Sequence, residues 1–199
     1  MKKVIGIYGL SGAGKTTFCE YLKKLGCRII NADDEGRKIL EKGSEGLKKV
    51  TELFGREYLL PDGSLNRKNL GRLVFSDPKE LERLNSVTKP ALEKALLKAI
   101  DGAEGITVID GALVNSIPSV REACDEIILL KADISLLAKR LEKRDNITEE
   151  EAKQRLERQL EAFSENCTGV ITNNSDINDL KTKAERMIEY VSQGRTINL

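Results

Sequence analysis

The sequence predicts an α/β fold built on a five-stranded parallel sheet with helices on both faces. Three observations carry this. Short β-branched runs each stop at a glycine or a polar residue, apolar residues recur at helical spacing between them, and a glycine-rich loop joins the first run to the first helix. Strands that alternate with helices favour parallel pairing, and such sheets gather ligands beyond the carboxyl ends of their strands.

Val4-Ile5-Gly6-Ile7-Tyr8 is the first strand and ends at Gly9. From Thr16 to Leu25, Phe18, Tyr21, Leu22 and Leu25 recur at helical spacing, and Gly26 follows as a C-terminal stop. Cys27-Arg28-Ile29-Ile30 closes on Asn31-Ala32-Asp33-Asp34 and completes a β-α-β unit. Three more strands are expected: Ile106–Ile109 before Asp110, Glu126–Leu130 before Lys131, and Gly169–Thr172 before Asn173. Asp33, Asp110 and Asn173 therefore stand at strand ends.

Between about Gly36 and Ile100 the pattern turns helical. Leu47, Val50 and Leu53-Phe54 mark one apolar face, and Leu70, Leu73, Val74 and Phe75 another, with the turn Leu60-Pro61-Asp62-Gly63 between them. The expected organisation is a core of residues 1–35 and 101–199 interrupted by a helical subdomain, 36–100. From Asp133 to Asn166 the chain is almost continuously charged, which predicts a solvated helix pair and also suits a lid, within about 138–166. The tail from Ser192 to Leu199 is expected to fray.

Composition narrows the chemistry. Thirty-three Lys and Arg against 32 Asp and Glu leave a net charge of +1, so no global attraction to nucleic acid or to anionic membrane is expected. No apolar run approaches the roughly 18 residues of a membrane span, and the N-terminal stretch is too short for a signal segment, so a soluble, cytoplasmic protein is expected. The chain has no histidine, which excludes Ser-His-Asp triads, Cys-His pairs, imidazole catalysis and His-ligated zinc. Cys19, Cys27, Cys124 and Cys167 form no C-x-x-C pair and read as reduced thiols. Carboxylates, lysine and arginine are left to carry the reaction. No pattern specifies an oligomeric state.

Gly9-Leu10-Ser11-Gly12-Ala13-Gly14-Lys15-Thr16 matches G-x-x-x-x-G-K-[ST] after a strand and at the start of a helix. Glycines let backbone N–H groups converge on a phosphate, the helix N-terminus adds positive charge, Lys15 reaches the β- and γ-phosphates, and the Thr16 hydroxyl coordinates Mg²⁺. A nucleoside triphosphate is the expected ligand. With no N-K-x-D guanine signature, a phosphotransferase fits better than a GTPase. Asp33, just past the second strand, is placed to accept a hydroxyl proton, although an aspartate there also suits a helix cap. Asp110 reads either as the acid that orients Mg²⁺ or as a strand-end turn residue. Arg140 and Arg144 lie one helical turn apart and would face one side, either as closing arginines or as surface charges.

These residues resemble a family. The loop, Asn31-Ala32-Asp33 with Arg37, Phe54-Gly55, Asp62-Gly63, Asn66-Arg67 with Leu70 and Val74-Phe75, Arg140 with Arg144-Asp145, Glu149-Glu150 with Ala152, Arg155 and Gln159, and Val170-Ile171 with Asn173 together are similar to bacterial dephospho-CoA kinases. The resemblance implies a P-loop kinase core with a helical CoA-binding insert and a lid, which phosphorylates the 3′-hydroxyl of dephospho-CoA with ATP and Mg²⁺. It makes Asp33 the base and Lys15 and Arg140 the charge stabilisers. Ser11, Gly12, Ala13, Gly14, Lys15, Thr16, Thr17, Arg140 and Asn173 become the ATP-binding set, with Asn173 toward adenine. Thr16 and Asp110 become the metal pair, and Asp33 and Arg67 meet the acceptor. The chain departs from the family at Lys89-Pro90, where His-Pro is usual, at Gly111-Ala112-Leu113-Val114-Asn115, where P-L-L-F-E is usual, and at Asn31 and Leu137. A kinase of another small hydroxyl acceptor, such as a nucleoside, nucleotide or sugar acid, and a non-catalytic ATP-binding module remain alternatives.

Overall fold

The computed structural model describes residues 2–111, 114–161 and 163–199. Five strands, β1 (Lys3–Tyr8), β2 (Arg28–Asn31), β3 (Ile106–Asp110), β4 (Glu126–Lys131) and β5 (Gly169–Thr172), form one sheet in the order β2-β3-β1-β4-β5. Every pairing is parallel. Among the described residues the helices are α1 (Lys15–Lys24), α2 (Ala32–Ile39), α3 (Glu45–Phe54), α4 (Arg67–Ser76), α5 (Pro78–Asp101), α6 (Pro118–Glu122), α7 (Ile134–Asp145), α8 (Glu149–Glu161) and α9 (Ile177–Ser192). None is long and apolar enough to cross a membrane.

The chain divides into two compact units, Met1–Asn31 with Ile100–Leu199, and Ala32–Ala99. The first holds the sheet. Successive residues of β1, β3 and β4 are buried, and successive side chains point to opposite faces, so both faces of the central strands are covered. This is why these strands read as unbroken apolar runs. Ile7 lies opposite Asp110 and Asn31 opposite Asp110, which brings the ends of β1, β2 and β3 to one edge.

The tail does not fray. Val170 N–H donates to the Ile197 carbonyl at 3.0 Å, Leu199 N–H to Val170 at 2.9 Å, and Thr172 N–H to Leu199 at 2.8 Å. The tail thus covers the open edge of β5, whose backbone groups would otherwise face water, and Ile197 is fully buried. Gly169 permits the approach, because a Cβ there would sit 2.1 Å from the Ile197 carbonyl oxygen.

The helical unit has its own core of Leu47, Val50, Phe54, Leu65, Leu70 and Val74. Ser44 Oγ accepts from Leu47 N–H to cap α3, and Asn66 Oδ1 accepts from Asn69 N–H to cap α4. The Leu60–Gly63 turn closes with Gly63 N–H on Leu60 C=O at 2.8 Å, Gly63 at φ +82°, while the Asp62 carboxylate accepts from Ser64 N–H and Oγ. Phe75, expected on the apolar face of α4, is 84% exposed. Leu70 and Val74 are four apart and share the inward face, and Phe75 falls one step beyond it.

Candidate active site

The turn between β1 and α1 is the phosphate loop. Gly12 and Gly14 take left-handed backbone angles, φ +83° and +96°. No side chain caps the N-terminus of α1 and no acid lies in its first turn, so the partial positive charge of that terminus is left for an anion. Lys15 folds over the loop, with Nζ donating to the Gly9 carbonyl at 2.8 Å and to Leu10 at 3.2 Å.

Three side chains from distant elements brace this loop. Asn173, just past β5, is 4% exposed, and its Nδ2 donates to Ala13 C=O at 2.8 Å. A Cβ on Gly14 would lie 2.5 Å from that nitrogen, so the last loop glycine is required by Asn173 as well as by its φ. Arg140, from α7, donates through Nη1 to Gly12 C=O at 3.3 Å and through Nη2 to Asn173 C=O at 3.1 Å. Burial pulls its pKa below the usual arginine value. Gln159, from α8, accepts from Ser11 N–H at 2.9 Å and donates to Ser11 Oγ at 2.8 Å. The structure therefore brings Ser11, Gly12, Ala13, Gly14, Lys15, Arg140 and Asn173 together. The Asn173 amide is engaged with the loop itself.

Arg144 does not join Arg140. Its Nε and Nη2 grip Asp145 at 2.6 and 2.8 Å, and Arg155 of α8 reaches the same carboxylate at 2.7 Å. The hydrogen bond from Arg144, aided by both positive charges, holds Asp145 at a pKa of about 2. Asn146 ends α7 in the left-handed region at φ 52°, and Thr148 with Glu151 forms a capping box that starts α8. The charged stretch is thus a tied helix pair.

Asp110, 5% exposed, ends β3, and Asn31 Nδ2 lies 3.4 Å from its Oδ2. Thr16 is exposed in the first turn of α1, followed by the half-buried Thr17. A hydroxyl and a carboxylate are hard oxygen donors and fit Mg²⁺. Among the described residues no group of three or more His, Cys, Asp or Glu stands ready to hold a metal.

In the helical unit, Asp33 is exposed in the first turn of α2. The neighbouring Asp34 pairs with Arg37 at 3.1 Å. Arg67, exposed at the start of α4, donates through Nη2 to Arg37 C=O at 3.0 Å. The unit boundary at 31/32 places Asp33 here, four residues ahead of the expected division. The departures at Ala112 and Leu113 lie outside the described residues. All four cysteines are free, and burial raises the thiols of Cys27 and Cys124 to about 11, which keeps them protonated.

The family model for dephospho-CoA kinase matches residues 3–179. A dephospho-CoA kinase of Dehalococcoides mccartyi is 36% identical over 188 residues, 90% of this chain and 93% of its own. One from Listeria monocytogenes is 32% identical over 195 residues, 95% of this chain and 97% of its own. A Thermus thermophilus crystal structure superposes with a TM-score of 0.77 at 26% identity over 98% of both chains. With the phosphate loop, its flanking arginine and the parallel sheet in place, the chain belongs to the dephospho-CoA kinase family.

Proposed function

We propose that this kinase transfers the γ-phosphate of ATP to the 3′-hydroxyl of the dephospho-CoA ribose, giving CoA and ADP, in the cytoplasm. The observation that carries the donor half is the phosphate loop, with its uncapped helix terminus and the Lys15 and Arg140 cations on its carbonyls. These cations turn from backbone carbonyls to the β- and γ-phosphates when ATP occupies the loop, and they stabilise charge on the transferring group. The N–H groups from Ser11 to Thr17 orient the phosphates. Thr16 would supply a hydroxyl ligand to a Mg²⁺ ion and Asp110 the carboxylate beside it, and the ion would supply positive charge against the triphosphate.

Asp33 takes the proton from the ribose hydroxyl as the new O–P bond forms and the bond to the ADP oxygen breaks. Its support is its position two residues past β2 and its freedom from the ion pair that engages Asp34. Arg67 binds the pyrophosphate of dephospho-CoA from the helical unit, which we read as the CoA-binding subdomain. Helices α7 and α8 serve as the lid that keeps water from the phosphoryl group.

The test is incubation with ATP, Mg²⁺ and dephospho-CoA, with CoA read by mass. Stoichiometric CoA and ADP are expected. ADP formed with a nucleoside or sugar acid, and none with dephospho-CoA, overturns the acceptor.

A further inference from the structure

Within α8, residues 151–160 are exposed except Ala152, Leu156 and Gln159. Ala152 and Leu156 are fully buried in the main core, and the next step of three continues their stripe to Gln159. A carboxamide thus stands where the periodicity asks for an apolar side chain. Both of its ends meet complementary groups on one residue of the phosphate loop, Ser11 N–H at 2.9 Å and Ser11 Oγ at 2.8 Å. Only one orientation of the amide makes both bonds, since a flipped amide would set N–H against N–H. A polar group on a buried stripe fixes register where apolar contacts alone let a helix slide.

We propose that Gln159 is a positioning residue for phosphoryl transfer, whose carboxamide seats helix α8 on Ser11 so that lid and phosphate loop keep one register through the reaction. The inference rests on the reading that the loop holds the ATP triphosphate. Gln159 touches neither reacting oxygen. It acts through Ser11 and through the closure that excludes water.

Gln159→Met keeps the length and the apolar stem and removes both bonds. The expected result is a fall in kcat of about tenfold and a rise of about threefold or more in ATP hydrolysed per CoA formed, with equilibrium ATP affinity within about threefold. In Gln159→Glu the carboxylate accepts from Ser11 N–H and from the Ser11 hydroxyl, so the seat survives. This variant is expected to restore the ratio of ATP hydrolysed to CoA formed while weakening ATP binding through its negative charge. Wild-type kcat and coupling in Gln159→Met overturn the proposal, as does a Glu variant as uncoupled as the Met one. Amide exchange reads the seat without turnover: exchange across α8 is expected to be faster in Gln159→Met than in the wild type, and equal exchange in the two overturns the seat. The two readings fail separately, because turnover of a different acceptor by the wild-type chain removes dephospho-CoA and leaves the coupling ratio measurable with that acceptor.

Discussion

The sheet-bearing unit and the helical unit hold their proposed functional groups in opposite ways. In the first, Lys15, Arg140, Asn173 and Gln159 are each bonded to the phosphate loop, and Asn173 is buried. In the second, Asp33 and Arg67 are exposed in the first turns of α2 and α4. A triphosphate is the same in every kinase and suits a prebuilt cradle, whereas an acceptor must be gripped from a surface that differs from one enzyme to the next. Variants of the first unit should therefore disturb the donor and in part the fold, and those of the second should disturb the acceptor alone.

The largest effect is expected for Lys15→Ala. Removing the cation proposed to stabilise the transferring phosphate should lower kcat by about 10³-fold, with the thermal midpoint little changed. Steady-state assays with CoA detection measure the first, and retained turnover would dissolve the contrast at its strongest point. Next is Asp33→Asn, which keeps shape but takes no proton. Its kcat should fall by about 10²-fold while ATP titration is unchanged, and Asp34→Asn should cost less than about tenfold. A crippled Asp34 variant would move the base by one residue.

Arg67→Ala sharpens the comparison by affinity. The KM for dephospho-CoA should rise by about tenfold with ATP affinity intact, and the reverse pattern would assign Arg67 to the donor. Asn173→Ala should do what no insert variant does. Leaving Ala13 C=O unpartnered in a buried place should cost about 1–3 kcal/mol in denaturant titration and raise the KM for ATP. Stability unchanged in this variant would deny the loop its brace.

The smallest effect belongs to the exposed α7–α8 tie. The Asp145 carboxyl is depressed from 3.8 to about 2 in the native state, so its contribution is present above about pH 4 and is lost as pH falls through about 2. Asp145→Asn should flatten that part of the acid unfolding curve, with a slightly lower stability than the wild type at neutral pH and the two proteins converging as pH falls through about 2. An identical acid limb in both proteins would count against the pairing.

Most of the sheet was legible because central parallel strands are buried on both faces and must be continuously apolar, as Ile127–Leu130 is. The phosphate loop was legible because its glycines and lysine are fixed by backbone geometry and charge. What stayed hidden depends on partners far away in the chain. Asn173 reads alone as a strand-end amide, and only the folded chain shows that it meets Ala13, 160 residues earlier. Gln159 carried a faint signal, a polar residue in step with Ala152 and Leu156. The tail misled because Ile197 stands among polar neighbours, and its burial comes from the open edge of β5 and not from any period of its own. Arg144 was placed with Arg140 by helical spacing, which the adjacent Asp145 overrides.

Chain synthesis gives the loop braces a further meaning. Residues 9–16 leave the ribosome well before their braces do, since Gln159 lies 148 residues after Ser11 and Asn173 lies 160 after Ala13. Contacts of such sequence separation form slowly, because loop-closure entropy must be overcome before they contribute. A nascent chain that has passed the helical unit therefore owns the complete glycine motif with none of its distant supports. Nucleotide binding by the growing chain is expected to begin only after β5 has emerged, and ribosome-stalled chains ending before and after residue 173 would time that step.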